Sequence, residues 1–305
     1  MDVSISISSR GFVVRRFQEQ LRRHVPGLTV DGVFGPLTRD AVRDLQIRHG
    51  LQGTGQIGEA FCARLGLAWP SAFERCLNLT AEFEGTGFTR AVGPANTGDS
   101  AGVTYGLVGF TSFNGELQHL LRRYAAANAA RYAEIVERGL GARAAEFQAA
   151  VESRDNKALA RFALDGGGRV IGSVSAVLRR LGQTAEMQAF QVAEARQRYW
   201  ALAEDQGRSL WGRPPLRALA LLFDIAVQNG GLKITELEDC RVTFRALGSG
   251  DGDRMWEVVR VLHNRLTGAR RPKGIVDDVL ARKRAIVSGY GMVHGREWWI
   301  RSFGV

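Results

Sequence analysis

The chain has 305 residues, which at roughly 150 residues per domain indicates about two domains. Apolar residues make up 45% of it, enough for packed cores, which excludes a disordered or collagen-like chain. The 41 Lys and Arg residues outnumber the 31 Asp and Glu residues, giving a net charge of +10, and nearly all the cations are arginines. Because the planar arginine side chain suits carboxylates and phosphates, we expect an anionic partner, although genome base composition could produce the same bias.

The first 70 residues predict a small helical unit with an internal repeat. Apolar residues at helical spacing run from Val14 to Leu21 and again from Thr38 to Gln46. Between them, the turn from Val30 to Thr38 contains Asp-Gly and Gly-Pro pairs, which favour a tight turn before a new helix. A weaker copy of the turn follows at 51–58, so the unit is a degenerate repeat of turn and helix.

Residues 10–67 resemble the peptidoglycan-binding domain of cell-wall hydrolases, a three-helix bundle. The resemblance implies binding to glycan without catalysis, and within it we assign Asp31, Phe34 and Thr38 as candidate substrate-binding residues. The alternative is that these positions only build a small bundle. Trp69-Pro70 is the predicted boundary and short linker, because proline disfavours helix at the preceding residue. The predicted domains are therefore 1–70 and 71–305.

The second part predicts a helix, a small glycine-rich sheet between Thr86 and Phe110, and then many helices. The fold class is therefore mainly α: an α+β domain with a small sheet beside a three-helix bundle. The predicted later helices are 116–138, 144–153, 158–164, 185–204, 215–227, 254–266 and 275–288.

Glu84 is the first candidate catalytic residue. It follows Phe73, Leu77 and Ala81 at helical spacing, so it is predicted on the apolar face of a helix that Gly85 ends. An apolar surrounding and the negative end of the helix dipole both favour the protonated carboxyl that a proton donor needs. The alternative is a helix-end glutamate that simply reaches solvent.

Asp99 and Thr104 are the next candidates. Asp99 lies in the polar turn 96–100, which can solvate an ionised carboxylate, and the Thr104 side chain is predicted opposite to Val103 and Tyr105. One neutral and one charged carboxyl across a cleft is the arrangement that cleaves glycosidic bonds. An aspartate in such a turn more commonly caps the backbone, so spacing alone leaves both interpretations open.

The surrounding strings resemble the family 46 chitosanases of the lysozyme superfamily. The matching segments are 81–85, 98–112, 190–194, 223–230 and 291–295. The resemblance implies that Glu84 is the general acid, Asp99 the general base and Thr104 the residue that orients the attacking water, with inversion at the anomeric carbon.

The resemblance has departures that affect the substrate. Ala101 stands where the family usually has arginine, and chitosan is a polycation that a chain at +10 would repel. Peptidoglycan carries stem-peptide carboxylates, which attract arginine. We therefore predict a peptidoglycan hydrolase of the muramidase type, with glucosaminidase cleavage left open. The alternatives are a chitosanase, a lytic transglycosylase, or a wall-binding or nucleic-acid-binding protein without activity.

The remaining expectations concern ligands and place of action. The histidines lack metal-ligand spacing and the three cysteines lack a CxxC pair, so no metal, cofactor or disulfide framework is expected. The positive charge is spread along the chain, which disfavours nucleic acid, and no apolar stretch is long enough for stable membrane insertion. We expect a monomer without a signal peptide, made in the host cytoplasm and acting on the periplasmic cell wall. A phage endolysin released through a holin pore and a secreted effector both fit.

Overall fold

The computed structural model describes residues 3–85, 87–97, 102–248 and 250–305. These are mainly helical with two small antiparallel sheets, which confirms the predicted fold class. The chain divides into two compact units, one comprising residues up to Phe83 together with Arg198–Val305, the other Glu84–Gln197. This division concerns packing, and the domain boundary at residue 70 stays a prediction. In the described part of the chain, no helix is both long and apolar enough to cross a membrane.

The N-terminal module of the first unit contains three helices: α1 Phe12–Leu21, α2 Pro36–Arg48 and α3 Glu59–Leu65. Its core is built from the apolar positions that the periodicity predicts, namely Val14, Phe17, Leu21, Val42 and Leu45, together with Phe34, Ile57 and Phe61.

The internal repeat is visible in the hydrogen bonds of two glutamines. In the first copy, Gln18 Oε1 accepts from the Gly32 amide at 2.7 Å and Nε2 donates to the Val33 carbonyl at 3.0 Å. In the second, Gln46 Oε1 accepts from the Gly55 amide at 2.8 Å and Nε2 donates to the Gln56 carbonyl at 2.8 Å. Each helix thus holds the turn that follows it with a buried glutamine.

Helix α4, Ala72–Glu84, begins at a capping box in which Ser71 and Glu74 satisfy each other's backbone amides. The predicted linker before it is packed: Trp69 lies against the module core, and the Arg75 guanidinium lies 5.3 Å from the Trp69 ring centroid. The module is therefore joined to α4 through packed side chains.

The module also packs along α4 and the C-terminal segment. The buried Asn78 side chain accepts from the Val13 amide at 3.1 Å and donates to the Arg10 carbonyl at 2.7 Å. The Arg10 guanidinium forms an ion pair with Glu82 at 3.5 Å and lies 4.6 Å from the Trp298 ring centroid.

A short β-bridge adds to this packing. Ile5 pairs with both Ile57 and Phe303, and the Ser6 amide donates to the Ser302 carbonyl at 3.1 Å. Segments near both ends of the chain are therefore paired through their backbones, and Ile5 and Phe303 are both buried there.

The second unit contains a three-stranded antiparallel sheet followed by helices. Its strands are β1 Ala91–Val92, β2 Thr104–Tyr105 and β3 Phe110–Thr111, with β2 in the centre and Thr104 opposite both Val92 and Thr111. Its helices are α5 Pro94–Thr97, α6 Glu116–Ala127, α7 Ala129–Leu140, α8 Ala144–Glu152, α9 Ala158–Ala163, α10 Gly172–Gln183 and α11 Ala185–Ala195, with a 3-10 turn at Gly141–Arg143.

The rest of the first unit is helical and ends in a hairpin. A π-helical segment, Arg196–Trp200, precedes the helices α12 Ala201–Trp211, α13 Leu216–Asn229, α14 Ile234–Leu247, α15 Asp251–Gly268 and α16 Lys273–Ser288. The strands β4 Tyr290–Val293 and β5 Arg296–Trp299 form the hairpin, and a 3-10 turn, Ile300–Ser302, follows.

Most predicted helices are present, with two corrections. The helix predicted over 116–138 is wrong as one element, because Asn128 leaves the helical conformation at φ −135° and separates α6 from α7. Asparagine competes for backbone hydrogen bonds in this way, and its side chain donates to the Tyr124 carbonyl at 3.3 Å. The helix predicted over 185–204 is interrupted by the π-helical segment. Periodicity also missed α10, α14 and the hairpin.

Candidate active site

Glu84 is the last residue of α4, as the apolar spacing predicts. Phe73, Leu77 and Ala81 are buried, while Glu84 is half-buried, and Gly85 ends the helix in the left-handed conformation at φ +67°. The Glu84 carboxylate extends towards the β2–β3 turn, where Oε2 lies 3.6 Å from the position that a Cβ would occupy on Gly109.

Neighbouring Glu82 has a separate environment. Burial raises the pKa of Glu82, against the opposing charges of Arg10 and Arg296. Its carboxylate pairs with Arg10 of the module, as noted above, so Glu82 and Glu84 serve different contacts.

Thr104 is at the start of the central strand β2, and its side chain is half-buried between the fully buried Val103 and Tyr105. This alternation confirms that Thr104 lies on the opposite face from its neighbours. Burial raises the pKa of the Tyr105 hydroxyl, which donates to the Leu178 carbonyl at 2.9 Å. The Thr104 methyl lies 3.1 Å from the same Cβ position on Gly109. The Glu84 carboxylate and the Thr104 methyl therefore both lie beside the same glycine.

Gly109 is a site residue that sequence reasoning did not single out. Its φ of +69° favours glycine, and a Cβ there would crowd the Thr104 methyl and touch the Glu84 carboxylate. The Gly109 amide donates to the Gly106 carbonyl at 3.1 Å, closing the turn between the strands. The glycine run was visible in the sequence, but not which glycine would meet Glu84.

Gln191 of α11 stabilises the β2–β3 turn through hydrogen bonds. Its buried side chain accepts from the Leu107 amide at 2.8 Å and donates to the Phe88 carbonyl at 2.9 Å. A Cβ on Gly106 would lie 2.5 Å from Gln191 Oε1, so the backbone approaches the amide closely. Gln191 belongs to one of the chitosanase-like segments, and here it positions the turn that Glu84 faces.

Asp99, the predicted general base, lies outside the described residues, as do residues 98–101 around it. Its role stays a prediction. The chain next to this segment is well held, because the Val103 amide donates to the Ser112 hydroxyl at 2.9 Å.

The first unit contains a buried ion cluster that contacts α4. Asp224 of α13 accepts from Arg282 at 2.5 Å and from Lys283 at 2.7 Å, both on α16, and all three side chains are buried. Burial alone would raise the pKa of Asp224, but the charges and hydrogen bonds of Arg282 and Lys283 hold it at about 2. The Arg282 guanidinium also lies 5.2 Å from the ring centroid of Phe83, the residue before Glu84.

Sequence reasoning matched the segment containing Asp224 but missed its two partners. The signal that could have identified Arg282 and Lys283 is a pair of adjacent cations at core positions of an otherwise amphipathic helix. Charged side chains rarely occupy such positions unless paired.

In the module, Phe34 and Thr38 are buried and Asp31 is exposed. The Gln18 side chain donates to Asp31 Oδ1 at 2.9 Å and to the Thr38 hydroxyl at 3.0 Å. The hydrogen bond from the Val33 amide, followed by that from Gln18, lowers the pKa of Asp31. These contacts shape the turn, and contact with glycan by the three residues stays a prediction. Gln18, which organises the turn, was missed.

Within the described residues, no group of three or more His, Cys, Asp or Glu side chains is arranged to hold a metal ion. The three cysteines are free and buried.

Comparisons with known proteins fit this arrangement. Residues 11–65 match the model of a family described as putative peptidoglycan binding domain. A search of curated proteins found no match. Among solved structures, the native chitosanase from Bacillus subtilis is similar at 14% identity, with a TM-score of 0.53 over 76% of this chain and 99% of that one.

Two further chitosanase structures are similar, both at 18% identity over 74% of this chain. One was solved with substrate, with a TM-score of 0.52 and 94% of its chain covered, and the other is described as a chitosanase complex, with a TM-score of 0.51 and 95% covered. At these identities the likeness shows the fold: the chain combines a module that matches the peptidoglycan-binding family model over residues 11–65 with a fold like that of the chitosanases.

Proposed function

We propose that this protein is a glycoside hydrolase that cleaves the β-1,4 glycosidic bonds of peptidoglycan. The observation that carries the proposal is the placement of the Glu84 carboxylate and the Thr104 side chain beside Gly109, in a fold shared with chitosanases. These are two of the three residues that the chitosanase-like motif assigns to catalysis, and they come from separate elements.

The proposed reaction is single-displacement hydrolysis. Glu84 donates its proton to the glycosidic oxygen as the bond from that oxygen to the anomeric carbon breaks. A water oriented by Thr104 attacks the anomeric carbon from the opposite side, and Asp99 accepts the proton that the water loses. One water is consumed, one new reducing end forms, and the anomeric configuration inverts.

Two observations support peptidoglycan as the substrate. The module matches a peptidoglycan-binding family over residues 11–65, and it is packed onto α4, the helix that ends at Glu84. The net charge of +10 favours a polymer with carboxylates over a polycation. Within this proposal we assign muramidase cleavage, action at the periplasmic cell wall after endolysin-type release, and a monomeric state.

Chitosan hydrolysis is the second candidate, favoured by the chitosanase structures that this chain resembles. Lytic transglycosylation is a third, because it requires a glutamate acid but no catalytic aspartate. Product chemistry separates all three, since transglycosylation leaves 1,6-anhydro ends, and the sugar at a new reducing end tells hydrolysis of peptidoglycan from hydrolysis of chitosan.

The test combines variants with product analysis. Glu84→Gln retains the size of the side chain but removes the proton donor, so we expect turnover of purified peptidoglycan to fall by a factor of about 10³ or more. Asp99→Asn should lower turnover by orders of magnitude if water is the nucleophile. A fully active Asp99→Asn variant would contradict hydrolysis by this mechanism, and 1,6-anhydro ends would replace it with transglycosylation.

A further inference from the structure

The β4–β5 hairpin presents two faces of opposite character. Its inner face contains Trp298, which is buried against Phe83 at 4.4 Å and Phe303 at 5.8 Å between ring centroids. The Trp298 indole donates to the Val293 carbonyl at 3.1 Å. Because the inner face is packed on both strands, the hairpin is a firm support for whatever its outer face carries.

The outer face carries an aromatic pair and a carboxylate. Tyr290 and Trp299 are directly opposite each other, with ring centroids 4.5 Å apart and planes tilted by 46°. Met292 and Glu297 form the next pair, and Tyr290 donates a hydrogen bond to Glu297 at 3.0 Å, which raises the pKa of the tyrosine. We call these four residues the hairpin platform.

The platform leaves large apolar side chains in water. Tyr290 is 39% exposed, Trp299 52% and Met292 54%. Exposed aromatic groups beside a polar rim commonly mark a binding surface. Fixing the tyrosine through Glu297 also reduces the side-chain freedom lost when a ligand binds.

The chemistry of the platform fits a hexosamine ring. The faces of β-linked pyranoses carry axial C–H groups with partial positive charge, which suit the negative face of an aromatic ring. The Glu297 carboxylate accepts hydrogen bonds at several lone pairs, so it can receive a sugar hydroxyl or acetamido N–H beside the rings. A specific protein interface involves about 20–30 residues a side. The platform is much smaller and matches one or two sugar rings.

We propose that the hairpin platform is an accessory binding site for the β-1,4-linked hexosamine strand of peptidoglycan. The inference extends the proposed function, on which its choice of glycan rests. The hairpin that carries the platform also packs on the module through its inner face, where the Arg10 guanidinium of the module lies 4.6 Å from the Trp298 ring centroid. One compact unit would then hold the wall polymer at the module and at the hairpin.

The experiment measures binding without turnover, using the full chain with Glu84→Gln. The probes are N-acetylglucosamine hexasaccharide, followed by tryptophan fluorescence, and purified peptidoglycan, followed by co-sedimentation. Trp299→Ala should weaken hexasaccharide binding about tenfold, and Tyr290→Phe, which keeps the ring, should weaken it less. The matched control is Trp256→Ala, because Trp256 on α15 is also 42% exposed and should leave binding unchanged.

The results separate this inference from the proposed function. The inference would be overturned if Trp299→Ala and its parent bound the hexasaccharide with equal affinity and had the same circular dichroism. It would also be overturned if Trp256→Ala lost as much affinity as Trp299→Ala. The inference would also be overturned if the parent chain formed dimers that Trp299→Ala dissociates and did not bind the hexasaccharide. The surface would then be an interface between two copies of the chain. Hydrolysis by Glu84→Gln would contradict the catalytic proposal while leaving the binding result intact.

Discussion

Replacement of Asn78 by alanine tests whether the module is an integral part of the first unit. Asn78 is buried, accepts from the Val13 amide at 3.1 Å and donates to the Arg10 carbonyl at 2.7 Å. Its removal leaves one backbone donor and one backbone acceptor without their partner. An unsatisfied buried group costs about 1–3 kcal/mol, and the hydrogen bond to the Arg10 carbonyl is only part-buried, so the variant should be less stable by about 2–4 kcal/mol.

The assay is thermal unfolding of the full chain, monitored by differential scanning calorimetry. At about 2–4 °C per kcal/mol for a unit of this size, the midpoint should fall by about 10 °C. Asn264→Ala is the control, since Asn264 is exposed on α15, and surface changes of this kind stay within about 0.5 kcal/mol. The reasoning would be refuted if the Asn78→Ala midpoint matched that of the control, because the module would then be a loosely attached anchor.

Two further predictions concern the site and the ion cluster. Gly109→Ala places a methyl 3.1 Å from the Thr104 methyl and 3.6 Å from Glu84 Oε2, so turnover should fall at least tenfold. The control Gly66→Ala has a similar φ of +65° and open space around its Cβ, so it should lose about 1 kcal/mol of stability and keep its turnover. Asp224→Asn should cost about 3–5 kcal/mol, measured by urea unfolding, because it breaks a buried ion pair. Since folding lowers the pKa of Asp224 to about 2, the wild type should lose stability as the pH falls from about 4 towards that value, and the variant should lose less over that range. A wild-type midpoint that is flat over this range would contradict the assigned charge state.

The parts of the site that sequence predicted are those set by local pattern. Spacing of three and four residues placed Glu84 at the end of α4, and alternation placed Thr104 opposite to Val103 and Tyr105. Both signals come from within a single element, where the backbone period fixes which face a side chain occupies.

The missed parts depend on contacts between distant segments. Asn78 reaches an amide 65 residues away, Gln191 reaches one 84 residues away, and Lys283 pairs with a carboxylate 59 residues away. The hairpin was missed because its strands are only four residues each and too short for a clear alternation. The sequence likewise did not predict the packing of the module on α4, because the local pattern at Trp69-Pro70 is typical of a linker.

The most direct test of the central claim is to identify the sugar ends released from purified peptidoglycan and, side by side, from chitosan. Mass spectrometry of wild-type digests should show new reducing muramic acid ends from peptidoglycan and much less product from chitosan. Glu84→Gln should give neither. Products from chitosan alone, or unchanged peptidoglycan cleavage by Glu84→Gln, would contradict the account.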